Sequence, residues 1–124
     1  MPVVRKGDNR NTATPSATMT TFASPTLGAA ASALWRVDMT PGSAGPVHTI
    51  DSEQIWTVID GAATFDIADE SHQVDAGDTV VIPAALPRRV CADPDRGCVA
   101  VVAGTAGATA RVGDGDPVVP PWIA

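Results

Sequence analysis

The sequence predicts an all-β chain folded as one small domain, either a closed barrel or a jelly-roll-like pair of sheets. Three observations predict it. Short segments alternate apolar and polar residues with the two-residue period of a strand, as in Trp35, Val37 and Met39 against Leu34, Arg36 and Asp38. Eleven glycines and eleven prolines punctuate the 124 residues at spacings that suit tight turns and disfavour a helix bundle. A composition of 44% hydrophobic and 18% charged residues, at this length, supports one core and not two.

The elements follow in order. From Asn11 to Ala33 the chain is rich in Thr, Ser and Ala and is broken by Pro15, Pro25 and Gly28, which predicts weak edge strands. The first clear strand runs from Ala33 to Met39 and stops at Pro41-Gly42. A second, Glu53 to Ile59, reaches Asp60-Gly61, a hairpin signal, and Ala63 to Ile67 is read as its return strand. A turn over Ala68 to Ser71 leads to His72 to Val74, then Gly77-Asp78, then the β-branched run Thr79 to Ile82, closed by Pro83. Arg88 to Ala92 and Cys98 to Ala103 read as a hairpin about the turn at 93–97, and Ala108 to Val112 as a last strand. The tail from Gly113 is extended by Pro117, Pro120 and Pro121, and its Trp122 needs somewhere to bury. The whole of 1–124 is thus one domain, with a core barrel at about 33–112, an N-terminal arm at 1–32 and a C-terminal tail at 113–124.

Charge and motif content exclude several functions. A net charge of −6, with one lysine among eight basic residues, leaves no basic surface to displace counterions from nucleic acid. Anionic membranes are excluded on the same ground, and no apolar run approaches spanning length. The charged and polar start from Met1 to Asn11 lacks the apolar segment of a signal peptide, so the expected location is cytoplasmic. In that compartment Cys91 and Cys98, although placed on either side of one turn, are expected as free thiols.

The turn residues carry a family resemblance. One series runs Gly42, His48, Ile50, Gln54, Gly61, and a second runs Gly77, Pro83, Ala85, Arg88, Ala92. Together they resemble the two signature motifs of the cupin superfamily, in the short form of its small single-domain members. The resemblance spans roughly Trp35 to Val102 and implies a cupin-type β-barrel. It also implies a metal site, because the family holds iron, manganese, nickel or zinc with two histidines and a glutamate from the first motif and a histidine from the second. Here His48 alone keeps its identity. Ile50 has no lone pair, Gln54 keeps an amide oxygen without the carboxylate charge, and Arg88 brings a permanent positive charge that repels a divalent cation. No cofactor is therefore expected. The alternative is a divalent metal on a reduced set, His48 with Gln54 and water.

The candidate catalytic residues are His48, Arg88 and Gln54, with Trp56, Trp35, Ile50 and Met39 as candidate substrate-binding residues. His48 titrates near neutrality and suits proton transfer. Arg88 either clamps an anion in a two-pronged hydrogen bond or pairs internally with Asp38, Asp51 or Glu53. Gln54, Trp56 and Val58 share one strand face, so all three turn inward if Gln54 does. Trp56 is then either a substrate platform or core filling with its indole N–H on a backbone carbonyl. His72 reads as solvated. The expected function is a pocket for a small anionic or oxygen-rich organic molecule, used for metal-independent isomerisation, cyclisation or dehydration. Small cupins often act as cyclases or isomerases in secondary metabolism, which the resemblance implies. The alternatives are a non-catalytic binding or sensing module and a metal-dependent dioxygenase or isomerase. A homodimer is expected, its arms lying across a neighbour, against the alternative that both fold back on their own barrel.

Overall fold

The computed structural model describes all 124 residues. After one turn of 3-10 helix at Lys6–Asp8, ten strands follow: β1 (Arg10–Ala13), β2 (Thr18–Ala23), β3 (Ser32–Met39), β4 (Thr49–Ile50), β5 (Gln54–Ile67), β6 (Glu70–Asp75), β7 (Thr79–Ile82), β8 (Arg88–Ala92), β9 (Cys98–Thr105) and β10 (Ala110–Arg111). All pairings are antiparallel. No helix is long and apolar enough to cross a membrane.

Strand β5 organises the barrel because it belongs to two layers. Its first half, from Gln54 to Gly61, pairs with β9, and Gln54 to Thr57 pair with β7 as well. Its second half, from Ala62 to Ile67, pairs with β6 on one side and β8 on the other. The Asp60-Gly61 pair is thus not a hairpin: the chain continues as one strand of 14 residues that bends between sheets. The dipeptide supplies the same conformational freedom that a turn needs. Gly61 has φ +72°, the register shifts between Val58 and Asp60, and a Cβ at position 61 would sit 2.1 Å from the Gly97 carbonyl oxygen. Only glycine fits so close an approach.

The expected hairpin of Arg88–Ala92 with Cys98–Ala103 also resolves differently. β8 joins the sheet of β5's second half, whereas β9 crosses to lie between β3 and β5's first half. Cys91 faces Thr64 and Cys98 faces Gly61 and Met39, so the two cysteines are not opposite one another and both are free. Burial, and then Asp60, pushes the Cys98 thiol up to about 11, which leaves it unreactive.

Both arms fold back on their own barrel. β1 pairs with β2 and β2 with β3, extending the first layer. The tail packs Ile123 fully into the core, and Thr21 Oγ1 donates to the Trp122 carbonyl. Arg10, Ser24 and Thr26 all donate to the Ala124 carbonyl oxygen. The core joins the inward faces of both layers: Trp35, Val37, Met39, Val58 and Val102 from one, Ala63, Phe65, Val74 and Val90 from the other.

Candidate functional site

Between the layers, at one end, lies a cavity of about 460 Å³, within the usual range for small-molecule pockets. β3 presents Trp35, Val37 and Met39 to it because alternate residues of a strand share a face, and β2 adds Met19 by the same rule. β5 contributes Gln54 and Trp56, β4 contributes Ile50, and β8 contributes Val90. The rim is formed by 14–17, by Ala44 to Pro46 with His48, and by Ala110, Val112 and Trp122. Six of the seven residues singled out in the sequence, His48, Gln54, Trp56, Trp35, Ile50 and Met39, therefore meet around one space.

Arg88 does not line it. Its side chain is 1% exposed, its Nε donates to the Leu86 carbonyl at 3.0 Å and one terminal nitrogen donates to the Pro83 carbonyl at 2.9 Å. The other, Nη1, has no partner. None of the expected carboxylate pairings, with Asp38, Asp51 or Glu53, forms. Asp38 is taken by Arg36, with two bonds of 2.9 Å, and Asp51 receives the backbone N–H and the hydroxyl of Thr109, both at 2.9 Å. A loop carbonyl neutralises part of a guanidinium charge as a dipole, which is how an arginine without an acid is tolerated here. Burial lowers the Arg88 pKa, but from a starting value so high that the group stays charged.

His48 and Arg88 are directly opposed across an antiparallel bridge, each backbone N–H donating to the other's carbonyl. The ring is oriented by the Pro46 carbonyl, 2.9 Å from Nδ1. A carbonyl only accepts, so Nδ1 carries the proton and Nε2 of the neutral ring keeps its lone pair. Burial holds His48 below its ordinary pKa; the bond to Pro46 opposes this, and the Arg88 charge adds to the lowering. At neutral pH the cavity wall thus carries a neutral imidazole, protonated on Nδ1 alone.

Gln54 is 4% exposed, and its Oε1 accepts the Trp56 indole N–H at 3.2 Å. The indole therefore bonds a side-chain amide and not the backbone carbonyl expected of a core tryptophan. The Trp56 ring is also held edge-on against Phe65, with centroids 5.4 Å apart and an interplanar angle of 83°. Gly104, which the sequence reading passed over, sits behind this wall: a Cβ there would lie 3.0 Å from Trp35 Cη2 and 3.9 Å from Gln54 Cγ. His72, as expected, is exposed and bonds Glu70.

The four positions at which the resemblance implies metal ligands do not form a donor set for a divalent ion. They offer one imidazole, an isoleucine, an amide whose oxygen is engaged and a guanidinium. No group of three or more His, Cys, Asp or Glu side chains converges elsewhere.

The Cupin domain family profile matches residues 35–104, more than half of the chain. The chain belongs to the cupin family. No curated protein matches it. Among solved structures, this cupin is similar to the polyketide cyclase RemF from Streptomyces resistomycificus, at 19% identity and a TM-score of 0.76, over 98% of this chain and 89% of that one. It is similar to a cupin-like protein from Thermotoga maritima, at 20% identity and a TM-score of 0.68, over 76% and 71%. An oxalate decarboxylase variant from Bacillus subtilis aligns at 18% identity and a TM-score of 0.70, over 82% of this cupin but 28% of the other chain. At these identities the likeness establishes the fold.

Proposed function

We propose that this cupin binds a mostly apolar, ring-containing carbonyl compound and catalyses a metal-independent proton transfer on it, of the kind used in cyclisation, isomerisation or dehydration. The observation that carries the reading is the neutral His48, its Nε2 lone pair free, on the wall of a cavity whose large side chains are otherwise Trp, Met, Val and Ile, beside one buried amide. In the proposed step, His48 Nε2 takes a proton from a carbon next to the carbonyl. The C–H electron pair forms the enolate, and its oxygen receives hydrogen bonds from the Gln54 NH₂ group. His48 then returns the proton to carbon or oxygen. Arg88 acts from behind His48 as a fixed charge that favours the neutral imidazole, in place of the direct anion clamp expected from sequence. The apolar walls favour an uncharged ring system over the anionic guest that an arginine on the cavity wall would have selected. The similarity to a polyketide cyclase over nearly the full length supports this class of molecule.

The test uses 2-tetralone, a two-ring ketone with acidic C–H bonds, in deuterated buffer. The expected result is faster deuterium incorporation with protein than with buffer alone, lost in His48→Ala while 2-tetralone affinity is retained. Binding without faster exchange in the natural protein would favour the second reading, a ligand-binding or sensing cupin. That reading draws on the absence of Arg88 from the cavity wall, which leaves the amide as the principal oxyanion donor.

We also propose a homodimer formed through the outer face of the first layer, since the arms are consumed within the chain. Leu34, Ala103, Ile55 and Val81 stand opposite one another on four adjacent strands, β3, β9, β5 and β7, and form an exposed apolar row. Arg36 and Asp38 on the same face of β3 place both signs of charge beside it, as a patch that meets its own copy requires.

A further inference from the structure

A glutamine amide presents either its oxygen or its NH₂ group to a ligand, and nothing in its own chemistry decides which. Here a neighbour decides. Gln54 and Trp56 lie two apart on β5 with both side chains inward, and an indole N–H donates and never accepts. The 3.2 Å contact therefore fixes Oε1 towards Trp56 and leaves Nε2 without a partner in the protein. Phe65, itself fully buried, packs edge-on against the indole at 5.4 Å and supports it in this orientation. Gly104 is the strand partner of Gln54 on β9, where a Cβ would lie 3.9 Å from Gln54 Cγ.

We infer that Trp56 is a positioning residue that sets the polarity of the cavity, locking the Gln54 amide so that the site offers hydrogen-bond donors there and selects ligands carrying a hydrogen-bond acceptor, a carbonyl or ether oxygen, at that point. This rests on the proposed pocket but not on any reaction in it. Its consequence is chemical: His48 presents an acceptor and Gln54 a donor, so a ligand is held in one of its two possible orientations.

Three planar tricyclic probes of nearly equal size separate polarity from packing. Fluorenone carries only an acceptor, carbazole only an N–H donor, and fluorene neither. Affinities are measured by quenching of tryptophan fluorescence, Trp35 and Trp122 remaining on the cavity wall in every variant. In the natural protein fluorenone should bind roughly threefold to tenfold more tightly than fluorene, the effect of one net hydrogen bond. Gln54→Leu should bring that ratio to about one. Trp56→Phe, which keeps a ring against Phe65 but has no N–H, should lower the fluorenone-to-fluorene ratio towards that of Gln54→Leu and raise the carbazole-to-fluorene ratio, as the freed amide rotates. A ratio unchanged in Trp56→Phe, or a parallel loss of all three probes, would make Trp56 simply a wall and overturn the inference. So would a natural-protein ratio near one. Should Trp56→Phe fail to fold, Gln54→Glu reads the same point with the indole intact, since a carboxylate offers only acceptors, and unaltered preference for fluorenone there would also overturn it. Failure of fluorene itself to bind would instead strike at the proposed pocket.

Discussion

At the scale of single residues, His48 connects the site to pH. Its pKa in the folded protein lies below the ordinary value near 6.5, so between the two values the unfolded chain binds more protons than the folded one. Stability therefore rises with pH through that window and falls as the solution is acidified below the ordinary histidine range. A Tm-against-pH curve should show this slope in the natural protein and a flatter one in His48→Gln; equal slopes would mean that His48 is not the group responsible. Arg88 gives a sharper contrast. It is buried without an acid and leaves Nη1 unpaired, an arrangement that an apolar chain of similar length can replace at little or no cost. Arg88→Met should keep the denaturation midpoint or raise it, while Arg88→Ala, which opens a cavity, should lose about 2–5 kcal/mol. In Arg88→Met the His48 pKa, followed by NMR, should move upwards, and a value that stays put would remove Arg88 from the electrostatics of the site. That His48, Gln54, Trp56 and Trp35 line one cavity was legible, His48 from its motif position and the others from strand alternation on β5 and β3. The true surroundings of Arg88 were not, because its partners are backbone carbonyls of the 83–86 loop, and a carbonyl is present at every position of any sequence.

At the scale of elements, the most informative departure is β5. Asp-Gly between two alternating segments reads as a turn, yet a local signal reports only that the backbone adopts a left-handed conformation there. Whether that conformation reverses the chain or bends it between sheets depends on which strands lie alongside, here β9 before the bend and β6 with β8 after it. Alternation holds on each side of the bend but changes parity across it, from Gln54 and Val58 to Ala63 and Phe65, so the shared inward face of Gln54, Trp56 and Val58 was legible even with the wrong topology. Gly61→Ala should be far more damaging than a hairpin glycine substitution, because left-handed strain is added to a clash with the Gly97 carbonyl. A loss above about 3 kcal/mol is expected in chemical denaturation, and a loss under about 1 kcal/mol would contradict the role given to the bend. Gly104 on β9 was silent in the sequence for a related reason. Its backbone needs no special conformation, and its importance lies in what stands opposite, the edge of Trp35. Gly104→Ala should press Trp35 or Gln54 into the cavity, so that fluorenone loses affinity while smaller ketones such as 2-tetralone lose less. A uniform loss across sizes would mean that the substitution disturbs folding and not cavity shape.

At the scale of the whole molecule, the question is which surface remains for association. The free edges are poor candidates: β1 is four residues long, and β6 displays Glu70, His72 and Asp75 to solvent. Strand edges that are short or charged resist pairing with another chain. The arms are already committed, β2 to β3 and Ile123 to the core. What remains is the outer face of the first layer, where Leu34 and Ile55 are each 39% exposed and Val81 is 55% exposed in one continuous row. A stable dimer needs about 800 Å² from each partner, which is about an eighth of the 6639 Å² surface of this chain and within the reach of a four-strand face. A two-fold axis through the row would stack Ile55 near its own copy and set the Arg36–Asp38 ion pair of each chain at the border of the interface, an isologous arrangement in which one substitution counts twice. Sedimentation velocity at tens of micromolar should therefore show a dimer for the natural protein and a monomer for Ile55→Lys, with fluorenone binding unchanged because residue 55 points away from the cavity. A monomeric natural protein would end the dimer proposal, and a dimer that survives Ile55→Lys would move the interface to another face.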